Sequence, residues 1–322
     1  MERVARELSS RLPALNPERY SVALPPAMLA HRAGHAWEQA LAARRAELIL
    51  CPANLAPLAS RRNVVVIHDV AALSHPEWYS ALYVRYQRLL LPRLARRARL
   101  VITVSDFARR ELERTVGVEH DDIAVVPNGV DPRFRPDADS GPVRAAHGLE
   151  RPYVLALGTL IRRKNMSALD VAERRLAGEG IDLVTAGSGR GYMRPETEAP
   201  GRALGYVRDD DLPGLYAGSL AFVMPSLYEG FGLPCLEAMA CGTPVVAADR
   251  AALPETCDDA AVLVDPDDRE GVADAVLRAA RETALRNRLR TAGPQRARTF
   301  TWQRSAELTD ELIGQLLSGS AR

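Results

Sequence analysis

Two Rossmann-like α/β domains with parallel sheets are what this sequence predicts, on three observations. Short β-branched runs alternate with longer helical patterns through both halves, the sequence form of successive βαβ units. Runs such as VVVI and VVAA are apolar without alternation, as strands covered on both faces are. Between the halves lies FRPDADSGPVRAAHGLERP, rich in Pro, Gly and Asp and lacking a sustained strand pattern. A chain of 322 residues, 47% of them hydrophobic, can bury a core in each of two domains.

Taken in order, the chain opens with MERVARELSSRL, a helical pattern with Val4, Leu8 and Leu12 on one face. Strands are expected at 20–25, 47–51, 64–68, 100–105 and 123–127. A boundary near Asp139 divides the chain into domains 1–138 and 139–322. The second half offers strands at 153–158, 181–187, 203–207, 220–225, 244–248 and 261–264, then helices over about 269–290 and 302–317. Ligands of open α/β sheets lie beyond the carboxyl ends of strands, so functional residues are expected there.

Composition excludes several classes of function. With 42 basic against 41 acidic residues, the formal charge is +1, and no polyanion-binding surface for nucleic acid is implied. The four cysteines form no CxxC pair and read as free thiols. No apolar run nears the roughly 18 residues of a membrane span, and the N-terminus has no signal-peptide core, so a cytoplasmic protein is expected. The His68–His75 spacing has no further ligands around it, so no metal is expected. AGSGRGY, with Gly187, Gly189 and Gly191, does not match the dinucleotide fingerprint; it reads as a flexible loop or a nucleotide-facing one. No G-x-S-x-G elbow is present.

Two segments after strands carry chemistry. In TLIRRKNMSALDVA, Arg163 and Lys164 leave the sheet and open a helix that Asn165 or Ser167 could cap. Cations there suit a pyrophosphate: arginine grips phosphate bidentately, while lysine is a compact point charge. The plainer reading is a solvated Arg-Arg-Lys run. Against it stands the fact that Lys164 is the single lysine among the 42 basic residues, a position where arginine did not serve. In LYEGFGLPCLEAMACG, Glu229 precedes Glu237 by eight residues, and Gly230 and Gly232 flank Phe231. Glycines let backbone N–H groups approach a ligand at a helix N-terminus, and carboxylates suit the paired hydroxyls of ribose and sugar. The plainer reading gives these glutamates to the helix dipole and the surface.

EGFGLPCLEAMACGTPVVAAD resembles the signature of retaining glycosyltransferases of the GT-B fold, family 4 (glycosyl transferases group 1), where the two glutamates form an E-x7-E motif. LGTLIRRKN, VVPNGVDPRF, VITVSDFARREL and VVVIHDVAAL with HPEWYS resemble further blocks of that family, in the same order. The resemblance implies two Rossmann-like domains whose parallel sheets face a central cleft: an N-terminal acceptor-side domain and a C-terminal donor-binding one, the last helix packing back on the first. It implies that Arg163 and Lys164 hold the donor diphosphate, Glu237 the ribose and Glu229 the transferred sugar. Gly158, Gly230, Phe231, Gly232 and Leu233 would line the donor, with Gly205, Tyr206 and Val207 flanking the base. His68 matches a histidine near the donor sugar; a strand-end histidine bonded locally is the alternative.

A hexose would then pass from a nucleotide-diphosphate sugar to a glycan or lipid-linked acceptor, without metal and with retention of configuration. The HD and PEW blocks point to a mannosyltransferase-like subgroup using GDP-mannose. Alternatives are a GT-B nucleotide-sugar epimerase and an inactive nucleotide-sugar binder. Relatives carry a first strand and Gly-rich loop where this chain opens in a helix, so that strand is expected to be missing. The basic and aromatic stretch WYSALYVRYQRLLLPRLARRARL would let the protein rest peripherally on an anionic membrane, or is a solvated helix face.

Overall fold

The computed structural model describes residues 2–24, 45–159, 161–187 and 200–319. The chain divides into two compact units. Unit 1 comprises Met1–Pro76, Ala81–Gly129 and Thr301–Arg322; unit 2 comprises Glu77–Ser80 and Val130–Phe300.

Unit 1 opens with helix α1 (Glu2–Leu15). Its sheet runs β1 (Ile49–Cys51), β2 (Asn63–Val66), β3 (Leu100–Thr103) and β4 (Ile123–Val125), parallel throughout and adjacent in that order. Val64, Val65, Val66 and Ile67 are all buried, because both faces of the sheet are covered. On one face, α2 (Ala81–Arg97) contributes Leu90, Leu91 and Leu94, and α3 (Asp106–Val116) contributes Leu112 and Val116, to a core with Ile49, Val65 and Val101. Ser105 caps α3 by accepting from the Ala108 N–H at 3.0 Å, and Gly117 at φ 69° ends it.

Unit 2 holds β5 (Tyr153–Leu157), α4 (Asp170–Gly178), β6 (Asp182–Ala186), β7 (Arg202–Ala203), α5 (Leu212–Ala217), β8 (Ala221–Met224), α6 (Leu233–Ala240), β9 (Val245–Ala248), α7 (Leu253–Cys257), β10 (Ala261–Val264), α8 (Arg269–Arg281) and α9 (Thr283–Ala297). The sheet is parallel in the order β10-β9-β8-β5-β6-β7. Its core joins Val154 and Ala156 of β5 to Leu176, Val223, Val246, Val272 and Val276. Two expected elements differ. The strand expected at 203–207 shrinks to Arg202–Ala203, since Gly205 at φ 70° turns the chain out of the extended form. The helix expected over 269–290 is two helices, parted at Glu282, which is extended at φ −75° and ψ 107°.

The chain then returns to unit 1 as α10 (Trp302–Leu317), capped by Thr301 accepting from the Arg304 N–H. Val4, Leu8 and Leu12 of α1 pack on Trp302 and Ala306 of α10, the face expected from their spacing. Leu308, Leu312 and Leu316 cover the second sheet face at Val64, Val66, Ile102 and Val126. The strand expected at 20–25 is not formed over its described part: residues 20–24 join no ladder, and Pro25 lies outside the described residues. The apolar residues there alternate without building a strand, because Val22 and Leu24 face solvent while Tyr20 is held by its hydroxyl. That hydroxyl donates to Asp310 Oδ1 at 2.6 Å, Arg19 Nη1 reaches the same oxygen at 2.6 Å, and Asn16 Nδ2 reaches Oδ2 at 2.8 Å.

Candidate functional site

In unit 2 the carboxyl ends of β5, β6 and β7 meet at glycines. The Gly158 N–H donates to Ala186 O at 2.9 Å, and the Gly187 N–H to Gly205 O at 2.8 Å. A Cβ on Gly187 would stand 2.1 Å from Gly158 O, so its backbone packs directly on the neighbouring strand end. Gly187 is thus explained by packing; Gly189 and Gly191 lie outside the described residues. A Cβ on Gly158 would come within 3.1 Å of Lys164 Cγ and Cδ and 2.9 Å of Met166 Cε, so this glycine leaves room for the lysine stem.

After Gly158 the chain makes a 3-10 turn, Arg162–Lys164, and then places Asn165 in the left-handed region at φ 53°, ψ 38°. Asn165 is not the expected helix cap. Its Nδ2 donates to Pro225 O at 3.2 Å and Pro266 O at 3.0 Å, tying the turn to the chain beyond β8 and β10. Ser167 lies inside the next 3-10 turn, Met166–Leu169, and α4 starts only at Asp170. The Leu227 N–H donates back to Arg163 O at 2.9 Å, so this turn and the Glu229 loop are fixed to one another.

Across that junction Lys164 Nζ stands 2.7 Å from Glu229 Oε1, and both side chains are 10% exposed. Arg163 Nη1 donates to Tyr228 O at 3.0 Å and lies 3.4 Å from Glu229 Oε2. Burial lowers the Lys164 pKa, Glu229 opposes it and Arg163 adds to it, with a net fall. Burial raises the Glu229 carboxyl, but the charges of Lys164 and Arg163 outweigh it and hold the carboxyl below its ordinary value. Two cations and one carboxylate leave these three groups at +1 in a setting where charge interactions are weakly screened.

The loop between β8 and α6 carries the rest. Gly232, at φ 93° and ψ 34°, is the N-cap of α6. A Cβ there would stand 2.6 Å from Leu253 Cδ2 in an unfavourable conformation as well, so Gly232 meets two demands at once. Leu233 and Pro234 begin the helix. Phe231 is buried; its carbonyl accepts from Thr256 Oγ1 at 2.5 Å and its ring meets Phe300 edge-on at 5.6 Å. Tyr228 packs edge-on against Trp78 at 6.4 Å, within unit 2. Glu237, in α6, is 3% exposed and accepts from the Tyr216 hydroxyl at 3.1 Å. Val207 is buried beside Tyr206, which is 70% exposed.

Arg163, Lys164 and Glu229 are therefore brought together, with Gly158 against the lysine stem. His68 belongs to unit 1. It is buried, its Nε2–H donates to Pro52 O at 2.9 Å, and its own N–H donates to Asn54 Oδ1 at 2.8 Å. Burial lowers its pKa to about 4 despite the Pro52 bond, so the ring is neutral at physiological pH with Nδ1 as an acceptor. Three contributors escaped the sequence reading: Tyr216, the double tie of Asn165, and Trp78, which lies far from Tyr228 in the chain. A hydroxyl-bearing aromatic on the apolar face of LPGLYA is the one signal that pointed to Tyr216. Among the described residues, no three His, Cys, Asp or Glu side chains form a metal-holding group.

Both halves of the chain match known protein families. The family described as Glycosyl transferases group 1 matches residues 151–282, which include Arg163, Lys164, Glu229 and Glu237. Glycosyltransferase Family 4 matches residues 19–134, which include His68. O-antigen chain mannosyltransferase B of Escherichia coli is 35% identical over 257 residues, covering 75% of this chain and 67% of that protein. Serotype-specific mannosyltransferase WbdA of Escherichia coli is 27% identical over 282 residues; this chain spans 80% of its own length but only 34% of WbdA. Sucrose-phosphate synthase from Thermosynechococcus elongatus shares the fold at a TM-score of 0.69 and 22% identity, with 88% of this chain and 77% of that chain covered. Anabaena HepE in complex with UDP-glucose does so at 0.63 and 21%, covering 79% and 72%.

Two outcomes are expected. Tyr216→Phe removes the donor to a buried carboxylate and costs about 1–3 kcal/mol in urea unfolding; a change within about 0.5 kcal/mol would contradict the bond. Because the folded pKa of His68 lies below its ordinary value of 6.5, its contribution to stability is complete above about pH 6.5 and is lost as pH falls toward about 4. His68→Gln should flatten the stability profile over that window; an unchanged slope would show that the ring is not buried neutral.

Proposed function

We propose that this chain, which belongs to the family 4, group 1 glycosyltransferases, transfers a hexose from a nucleotide-diphosphate sugar to a glycan or lipid-linked acceptor, with retention of configuration. The observation that carries the reading is the buried Arg163–Lys164–Glu229 cluster beyond the end of β5. A buried pair of cations answered by one carboxylate is a costly arrangement for stability alone. It is well suited to an anion that brings the missing negative charge, and a diphosphate does so.

In this reading Lys164 gives one of its three N–H bonds to Glu229, leaving the others for phosphate oxygens. Arg163, anchored on Tyr228 O, adds a second fixed charge. As the bond from the anomeric carbon to the diphosphate breaks, negative charge grows on the leaving oxygen, and these cations stabilise it without reorganising. The acceptor hydroxyl attacks from the face the diphosphate is leaving and gives its proton to that group. No side-chain nucleophile is used, so the rate comes from positioning and charge. Glu229 takes the hydroxyls of the transferred sugar and Glu237 those of the ribose. Amides of Gly230, Phe231, Gly232 and Leu233, at the N-terminus of α6, meet the sugar and phosphate oxygens. For His68, in unit 1, neutrality leaves hydrogen bonding and not charge as its role. GDP-mannose is the favoured donor, supported by the mannosyltransferase names of the Escherichia coli relatives.

Incubation with GDP-mannose, UDP-glucose and related donors, with product analysis, tests the reading: transferred hexose supports it, whereas epimerised donor or binding without turnover contradicts it. Lys164→Met keeps a stem of similar bulk and should lower turnover on the order of a hundredfold. Full turnover in a folded Lys164→Met protein would remove the lysine from the mechanism.

A further inference from the structure

We infer that the outer face of α2 is a docking surface for an anionic membrane. The helix has no acidic residue, although acidic and basic residues are nearly equal over the whole chain. Arg85, Arg88, Arg93, Arg96 and Arg97 lie on it, with Arg99 just beyond, and all six are exposed. On neighbouring α3 two arginines find carboxylates: Arg109 meets Asp106 and Glu113, and Arg114 meets Glu111. None of the six does so; Arg93 Nη1 turns to Leu89 O at 2.6 Å and Arg96 Nη2 to Val116 O at 3.0 Å, which leaves their charge uncompensated.

The same face carries apolar side chains. Leu82 is 80% exposed, Leu89 52% and Tyr86 38%, and together they are three of the eight large hydrophobics exposed among the described residues. At 100° per residue, Leu82, Tyr86 and Leu89 fall with Arg85, Arg93, Arg96 and Arg97 in an arc of about 120°. Val84, Leu90, Leu91 and Leu94 occupy the opposite side and are buried in unit 1. A face built for water alone has no need of Leu82, Tyr86 and Leu89 exposed at one-turn and two-turn spacing. A surface for polyphosphate alone has no use for them either. Leucines to enter the headgroup boundary, ringed by arginines to meet anionic headgroups, are what an interfacial helix requires. No described helix is long and apolar enough to cross a membrane, so the contact would be peripheral.

This inference does not depend on the donor reading, and its test can fail separately. The purified full chain is sedimented with phosphatidylcholine vesicles, with and without phosphatidylglycerol, at low and high salt. Wild type should pellet with the anionic vesicles at low salt and be released by high salt. Arg85→Gln/Arg93→Gln/Arg97→Gln should weaken binding about a hundredfold, near fivefold per arginine. Leu82→Ser/Leu89→Ser should weaken it as well, with the circular dichroism melt of both variants unchanged. Absence of binding at low salt would overturn the inference. So would binding that both variants retain, or binding that needs the arginines but not the leucines, since the apolar side chains would then not enter the headgroup boundary.

Discussion

A lysine and a glutamate buried 2.7 Å apart at the end of a central strand are the constraint around which unit 2 is arranged. Removing two such charges from water is expensive, and their attraction repays it only when the geometry is tightly held. The surrounding details hold it. Gly158 clears space for the lysine stem, Asn165 binds the turn to two carbonyls, and Leu227 ties the glutamate loop to the backbone of Arg163. Arg163 then tips the balance to positive, the charge that the proposed diphosphate would answer.

The charged side chains of the cluster come from two supports. The strand end and its 3-10 turn present the cations, while the glycine-flanked loop and α6 present the carboxylates. Glu237 is buried yet stays oriented, because Tyr216 donates to it from α5 and is itself wedged edge-on between Phe134 and Phe222. Rigid aromatic packing thus sets the direction of a carboxylate that a flexible surface loop would leave free to rotate.

How much of this was legible in the sequence differs by feature. Unbroken runs such as 64–67 and 245–248 announced buried parallel strands because both faces of the sheet really are covered. The single lysine among so many arginines marked Lys164, since a compact ammonium fits where a guanidinium fork does not. The glycines of EGFG marked the loop because the need at Gly232, a left-handed backbone with no side chain, is local. What stayed hidden was set by tertiary packing. Residues 20–24 alternate like a strand but are fastened to α10 through Asp310. Asn165 has the residue type of a cap and works as a bridge between loops distant in sequence. Nothing in PEWYS announces that Trp78 will pack on Tyr228.

Nucleotide affinity reads out whether the Arg163–Lys164–Glu229 cluster binds a diphosphate. Calorimetry should compare GDP and UDP with their monophosphates in the wild type and in folded Lys164→Met protein. Wild type should prefer a diphosphate by at least about tenfold, and the variant should lose most of this preference while its monophosphate affinity stays the same. An equal preference in both proteins would mean that Lys164 and Glu229 are a structural ion pair and that the diphosphate, if bound, is held elsewhere.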